Sequence, residues 1–290
     1  MLEGEMKMLR FVLFLIILEF AICYRLAPYM GLDTRIISRE TVKSQILQLG
    51  AVLDRGQAYN PTTGEWNKER TEVARSKIQE LISLSPELPS DLDQLDGEWE
   101  LVYSSVPHGI FRSSPFFLAI QDAYIAGGPD GKEKAQLFFK LHELQTCSWG
   151  ASKIGRVAQI INSKEGLLIS EFDTSIFSLT VIPIVGWFKL LPTFGGCVVT
   201  VSKCVLNGDR LEFEVLYTTS KKVPGLKGIS DRIYGQRVPV NEVWKLLPWN
   251  QGRAPTCSLT LKYLDDDFRI VQDSDDEYFV YCRPVCPRSD

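Results

Sequence analysis

From Leu95 to the C-terminus the chain is written largely in period two. Trp99, Leu101 and Tyr103 alternate with Glu98, Glu100 and Val102, the signature of a strand with one face buried. Runs of the same kind recur at short intervals over 156–162, 167–175, 197–205, 210–217, 239–246, 258–263, 268–271 and 277–283. Residues 135–144 also read as a strand, after a turn at Gly127-Gly128-Pro129-Asp130-Gly131. Asn207-Gly208-Asp209 separates two of these runs, and Asn-Gly between strands is the strongest short-range hairpin signal. Residues 163–166 form a second hairpin loop. Closely spaced strands with little helix among them, and no alternating βαβ units, predict a mainly β fold, an antiparallel barrel or a sandwich.

Before the barrel the period changes to that of a helix. Over 38–53, Ile46, Leu49, Val52 and Leu53 share one face and Ser38 stands at the cap, although Gly50 is a poor helix former. Over 67–84, Val73, Ile78, Leu81 and Ile82 do the same, with Asn67 as cap and Pro86 and Pro89 as the stop. A length of 290 residues would allow two domains of about 150 residues each. The pattern instead predicts an N-terminal helical segment over 38–90 followed by one barrel over 91–290.

The first residues form a leader. Lys7 and Arg10 precede the apolar run 11–18, and Ala21-Ile22-Cys23 places small residues at the cleavage-specifying positions. The run is too short to span a membrane, which takes about 20 apolar residues, and it matches a secretory signal peptide over 1–23. Residues 24–37 carry Arg25 and Arg35 with Asp33 as the sole acid, a transit-like composition. With the aromatic Tyr24 just after the cut, the two parts resemble the two-part leader of algae with secondary plastids, which implies plastid targeting through a signal peptide plus transit-like leader; the alternative is the secretory pathway.

Composition narrows the function. Net charge is −4 and the pI is about 5.5, so there is no basic footprint for sequence-independent nucleic-acid binding. The chain has two histidines, His108 in a loop and His142 alternating on the predicted 135–144 strand, where it would line a cavity. Of seven cysteines, Cys23 leaves with the signal peptide. Cys147, Cys197, Cys204, Cys257, Cys282 and Cys286 lack the paired Cys-x-x-Cys spacing of a zinc site. Cys197 and Cys204 fall on opposite faces of a strand, and Cys282 or Cys286 is the candidate for a redox-sensitive disulfide. Residues 126–132 lack the first Gly and the Ser/Thr of a phosphate loop, and no Gly-x-Ser-x-Gly nucleophile elbow occurs. No catalytic residue, metal or cofactor is predicted.

Two motifs carry a resemblance. The first is Leu95-Asp96-Gly97-Glu98-Trp99-Glu100-Leu101-Val102-Tyr103-Ser104-Ser105. The second is Tyr263-Leu264-Asp265-Asp266-Asp267-Phe268-Arg269-Ile270, followed by Phe279-Val280. In this order they resemble the plastid lipid-associated proteins, or plastid fibrillins, over 38–285. The resemblance implies a lipocalin-like barrel in a plastid that binds hydrophobic molecules at thylakoid or plastoglobule surfaces. It departs from the family at Gln272-Asp273-Ser274-Asp275-Asp276-Glu277, where the family has an Arg-Gly turn.

The barrel-end and cavity candidates are Trp99, Tyr103, His142, Asp265, Asp267 and Arg269. Trp99 and Tyr103 are expected on one face, in the core. Arg269 either pairs with a carboxylate or stacks on Trp99. Asp265 and Asp267 form a solvated turn, anchor a headgroup or pair with Arg269. The apolar, proline-broken stretch 176–194 contains Trp187, Phe188, Leu190, Leu191 and Phe194 beside Lys189; it reads either as a membrane contact or as core strands joined at Gly186. A locally basic loop over 217–238 carries Lys221, Lys222, Lys227, Arg232 and Arg237. The expected partners are a hydrophobic small molecule or lipid, a membrane or lipid-droplet surface, and a lipid-metabolic enzyme if the barrel is a scaffold. A lipocalin-type enzyme acting on an isoprenoid or oxylipin is the third reading.

Overall fold

The computed structural model describes residues 34–57, 67–106, 110–147, 152–176, 194–223, 234–247 and 250–288. The leader over 1–33, His108, Trp187, Phe188, Leu190 and Leu191 lie outside them, as do the side chains of His142 and Phe194. The chain divides into two compact units, Met1–Val42 and Lys43–Asp290. Of the first, the described part is 34–42, the opening turns of helix α1 (Thr34–Val52). Everything below concerns the second.

Its centre is a closed barrel in which each strand pairs with the next and the last returns to the first. The strands are β1 (Gly97–Ser104), β2 (Ser152–Asn162), β3 (Leu167–Ile176), β4 (Phe194–Asn207), β5 (Arg210–Lys221), β6 (Thr256–Leu264), β7 (Phe268–Gln272) and β8 (Tyr278–Cys282). Every pairing is antiparallel. Closure gives every strand two neighbours. Of the barrel and sandwich that the alternation allows, the barrel is observed, consistent with the lipocalin-like architecture.

Two expected strands are helices. The 135–144 run belongs to α4 (Gly131–Cys147), which forms a helical hairpin with α3 (Pro115–Ala126) between β1 and β2. Gly131, Ala135 and Phe139 are buried at intervals of four among its described side chains, so the helical period outweighs the local alternation. The Gly127–Gly131 turn thus joins two helices, and His142 falls on α4 rather than on a strand. The 239–246 run is the short helix α5 (Val240–Leu246), with Pro239 at its N-cap position.

The outward face of β6, β7, β8 and β1 is apolar and buried: Tyr263, Phe268, Ile270, Val280 and Tyr103 are all inaccessible. Helix α2 (Lys68–Ser83) and the part of α1 from Lys43 onward pack here. The Lys43 ammonium lies over the Phe268 ring and Arg75 over Tyr278. Gly50 approaches the Val102 carbonyl so closely that a Cβ there would sit 2.5 Å from the oxygen. Close approach of helix to strand explains a glycine that helix propensity alone disfavours.

A β-bulge between Leu101 and Tyr103 corrects another expectation. Leu101 pairs with Tyr281, whereas Tyr103 pairs with Val280. The extra residue turns Tyr103 to the opposite face from Trp99. Tyr103 is core, but between barrel and helices rather than inside the barrel.

Candidate binding site inside the barrel

One end of the barrel is sealed by Trp99. Its indole Nε1 donates to the Leu95 carbonyl at 2.8 Å, from the 3-10 turn Leu92–Leu95 that leads into β1. The Arg283 guanidinium lies 4.1 Å from the Trp99 ring centroid, and Arg283 Nη1 donates to the Asp96 carbonyl at 2.6 Å. Arg269 stands over the same indole from β7, with its guanidinium 5.1 Å from that centroid and 4.3 Å from the Tyr281 centroid. Of the two roles expected for Arg269, stacking on Trp99 is the observed one.

Arg269 is 1% exposed. Its Nη2 donates to Gln159 Oε1 at 2.5 Å. Its Nε and Nη1 have no hydrogen-bond partner, and among the described residues no carboxylate pairs with it. Burial lowers its pKa to about 10, which still leaves it charged at neutral pH. Burial also pushes the nearby Cys204 thiol up to about 12 and the Tyr281 phenol well above its usual value. These neighbours stay neutral, and the positive charge is uncompensated.

Register places more polar groups around it. Gln159 pairs with Ser170, and Ser202 pairs with Val215 of the apolar core, so these side chains point inward from β2, β3 and β4. The hydroxyls of Ser170 and Ser202 are buried and without a partner. Gln159 Nε2 donates to the Ser113 carbonyl at 2.8 Å and the Tyr281 hydroxyl donates to it at 3.5 Å. Ser113 ends the 3-10 turn Ile110–Ser113 that leads into α3. The α3–α4 hairpin and the turn before it, which cover the core as a lid, therefore reach inside and present a backbone oxygen to the polar layer.

Apolar packing holds the lid in place. Leu118 and Ala119 of α3 join the core formed by inward residues of the strands. Phe111 stacks near Phe172 at 6.0 Å between centroids. The Cys257 thiol donates to the Pro115 carbonyl at 3.3 Å. Charge completes the attachment: Arg112 donates to Asp273 at 2.7 Å and Asp275 at 3.2 Å, Gln121 donates to Asp275 at 3.1 Å, and Lys132 pairs with it at 3.1 Å. Glu277 of the same turn pairs with Arg75 and accepts from the Ser105 hydroxyl at 2.6 Å. The acidic segment 272–277 thus ties lid and helix pair to the barrel.

A cleft of about 870 Å³ opens beside the lid, between the α3–α4 turn and strands β4 to β6. Phe213 and Cys257 line it, and both are buried residues of the barrel core. The cleft therefore touches the core at these two residues, while Lys203, Val205, Glu212 and Glu214 line it from the outward face of β4 and β5. Tyr124 and Trp244 supply aromatic surface, and Arg210 and Asp122 supply charge. Burial, together with the Asp273 and Asp275 carboxylates, pushes the Asp122 carboxyl up to about 6.

The other predicted residues lie elsewhere. Asp265 and Asp267 hold Lys43, at 2.6 and 2.7 Å, rather than Arg269; they latch the turn to α1. Cys197 and Cys204 do face opposite sides, Cys204 in the barrel core and Cys197 in a separate cluster. Cys282 and Cys286 are unbonded. Gln159, Ser170 and Ser202 were legible as polar residues at inward positions of apolar strands; Ser113, Arg112 and Asp122 carry no local signal. No protein-family model, curated protein or solved structure matches the chain.

Proposed function

We propose that this protein is a lid-covered barrel that binds a lipid-like molecule, with the plastid lipid-associated proteins as its model. The observation that carries this reading is the cleft beside the lid, which reaches the core residues Phe213 and Cys257. A pocket of this size suits a drug- or acyl-sized ligand, for which pockets run about 300–1,000 Å³. Eight-stranded barrels are wide enough to hold one small ligand. Each Å² of apolar ligand surface removed from water contributes about 25 cal/mol. The motif resemblance and the leader support a plastid setting at a thylakoid, plastoglobule or other lipid surface. The absence of any recognised catalytic motif supports binding and presentation over catalysis.

The test is titration of the delipidated full chain with a fluorescent acyl probe, 11-(dansylamino)undecanoic acid. Saturable binding is expected, and it is expected to fall at least tenfold in Ala254→Trp, which fills the cleft while leaving the far-UV circular dichroism unchanged. No saturable binding, or binding indifferent to Ala254→Trp, would overturn the reading. A second reading, a scaffold for a lipid-metabolic enzyme, is favoured by the lid residues Phe111, Leu118 and Ala119 within the core; absence of saturable binding would leave it standing.

A further inference from the structure

The lipid-binding reading leaves open what kind of molecule the interior recognises. Inside the barrel, the fully buried Arg269 keeps two nitrogens unpartnered. Among the described residues no anion stands beside it: its neighbours are the Trp99 and Tyr281 rings, the Gln159 amide, the orphaned hydroxyls of the same inward layer, Ser170 and Ser202, and a second cation, Arg283, on the same Trp99 ring. A buried guanidinium is strongly disfavoured without a counter-charge. The stacked rings offset part of that cost, but they provide no acceptor for Nε and Nη1.

The Ser113 carbonyl shows what the polar layer accepts. It is an oxygen delivered from the lid, taken by Gln159 Nε2 and the Tyr281 hydroxyl. Gln159 bridges this oxygen to Arg269 through its own Oε1. An oxygen acid placed here would use the same donors and add the open ones of Arg269. One negative charge balances the one buried cation. A carboxylate matches that balance, whereas a phosphate dianion would overshoot it and bring more oxygens than the layer has donors.

We propose, resting on the lipid-binding reading, that the barrel is selective for a long apolar chain ending in a carboxylate. The ligand's carboxylate pairs with Arg269 and takes the place of the Ser113 carbonyl on Gln159 and Tyr281. The turn Ile110–Ser113 is then an internal stand-in for the ligand headgroup. Its withdrawal, with α3, opens the route from the cleft past Phe213 and Cys257. The opposite end stays sealed by Trp99 under Arg283.

The experiment compares palmitic acid with methyl palmitate on the delipidated full chain at pH 7.5, by isothermal titration calorimetry with native mass spectrometry as a count. Wild type is expected to prefer the acid at least tenfold. Arg269→Met is expected to bring acid and ester to parity while still binding both; Arg269→Lys, which keeps the charge but not the planar fork, is expected to retain a reduced preference. With carboxyl-¹³C palmitate, the bound signal is expected to stay that of an ionised carboxylate to lower pH in wild type than in Arg269→Met. Equal binding of acid and ester by wild type would overturn this inference and leave lipid binding standing. Binding of neither would overturn both. The wild-type comparison stands even if Arg269→Met fails to fold.

Discussion

Two buried arginines divide the labour of this molecule. Arg112, at the root of the lid, is 5% exposed and faces the carboxylates of Asp273 and Asp275. Arg269, on the barrel floor, is 1% exposed and faces two aromatic rings and one amide. The first has its counter-charges built into the fold and acts as a clamp. The second has none among the described residues, and its open donors point to a charge supplied from outside. The same side chain is therefore structural in one place and a recognition element in the other, and the carboxylates around it make the difference.

The sharpest way to break this contrast is to remove each cation in turn. Arg112→Met leaves Asp273, whose side chain is 1% exposed, without the cation it pairs with, and Asp275 with Lys132 alone. Stranding buried charges costs about 3–5 kcal/mol, so a large fall in midpoint is expected in urea unfolding at pH 7. Burial already holds the Asp273 carboxyl above its usual value, and losing Arg112 raises it further. Protonation then relieves the variant, and part of the loss is expected to be regained on acidification to pH 4. A double variant, Arg112→Met with Asp273→Asn, is expected to regain part of it at pH 7.

Arg269→Met is the counter-experiment. It strands no carboxylate and removes an unsatisfied buried charge. Replacing a buried ion by an apolar side chain of similar volume is often neutral or stabilising, and the lost cation–π contacts are worth about 1–2 kcal/mol. Urea unfolding of the ligand-free variant is expected to lie within about 1 kcal/mol of wild type. A loss as large as that of Arg112→Met would erase the distinction between clamp and recognition element.

A further small effect, confined to high pH, is expected at Asp122, where cleft and clamp meet. Its carboxyl titrates near 6 in the folded chain against a usual value of 3.8, because of burial and the Asp273 and Asp275 carboxylates. The folded state therefore holds this proton more tightly than the unfolded chain. Its contribution to stability is greatest below pH 4 and is lost as pH rises through about 6. Asp122→Asn is expected to match wild type at pH 4 and to exceed it by on the order of 1 kcal/mol at pH 8, read as the pH dependence of thermal midpoints. An unchanged difference across that range would remove Asp122 from the coupled set.

The contrast also shows what a sequence exposes. Strands whose neighbours follow directly in the chain were legible, because alternation and Asn207-Gly208 are local. The lid was not. Residues 135–144 satisfy both periods, and only contact of Ala135 and Phe139 with the rest of the fold selects the helix. Stacking of Arg269 on Trp99 was legible from the motif pair, but the lack of a carboxylate partner was not. That depends on Asp265 and Asp267 being drawn outward by Lys43, a residue more than two hundred positions away. Tyr103 was placed on the wrong face because a bulge shifts side-chain parity without a sequence signal.

The most direct test of the account is a crystal structure of the full chain with palmitate. The predicted result is a carboxylate within hydrogen-bonding distance of Arg269 Nε or Nη1, with the Ser113 carbonyl displaced from Gln159 and the acyl chain running under α3 toward Phe213. Palmitate bound outside the barrel, with the Ser113 carbonyl still on Gln159 and Arg269 unchanged, would contradict it.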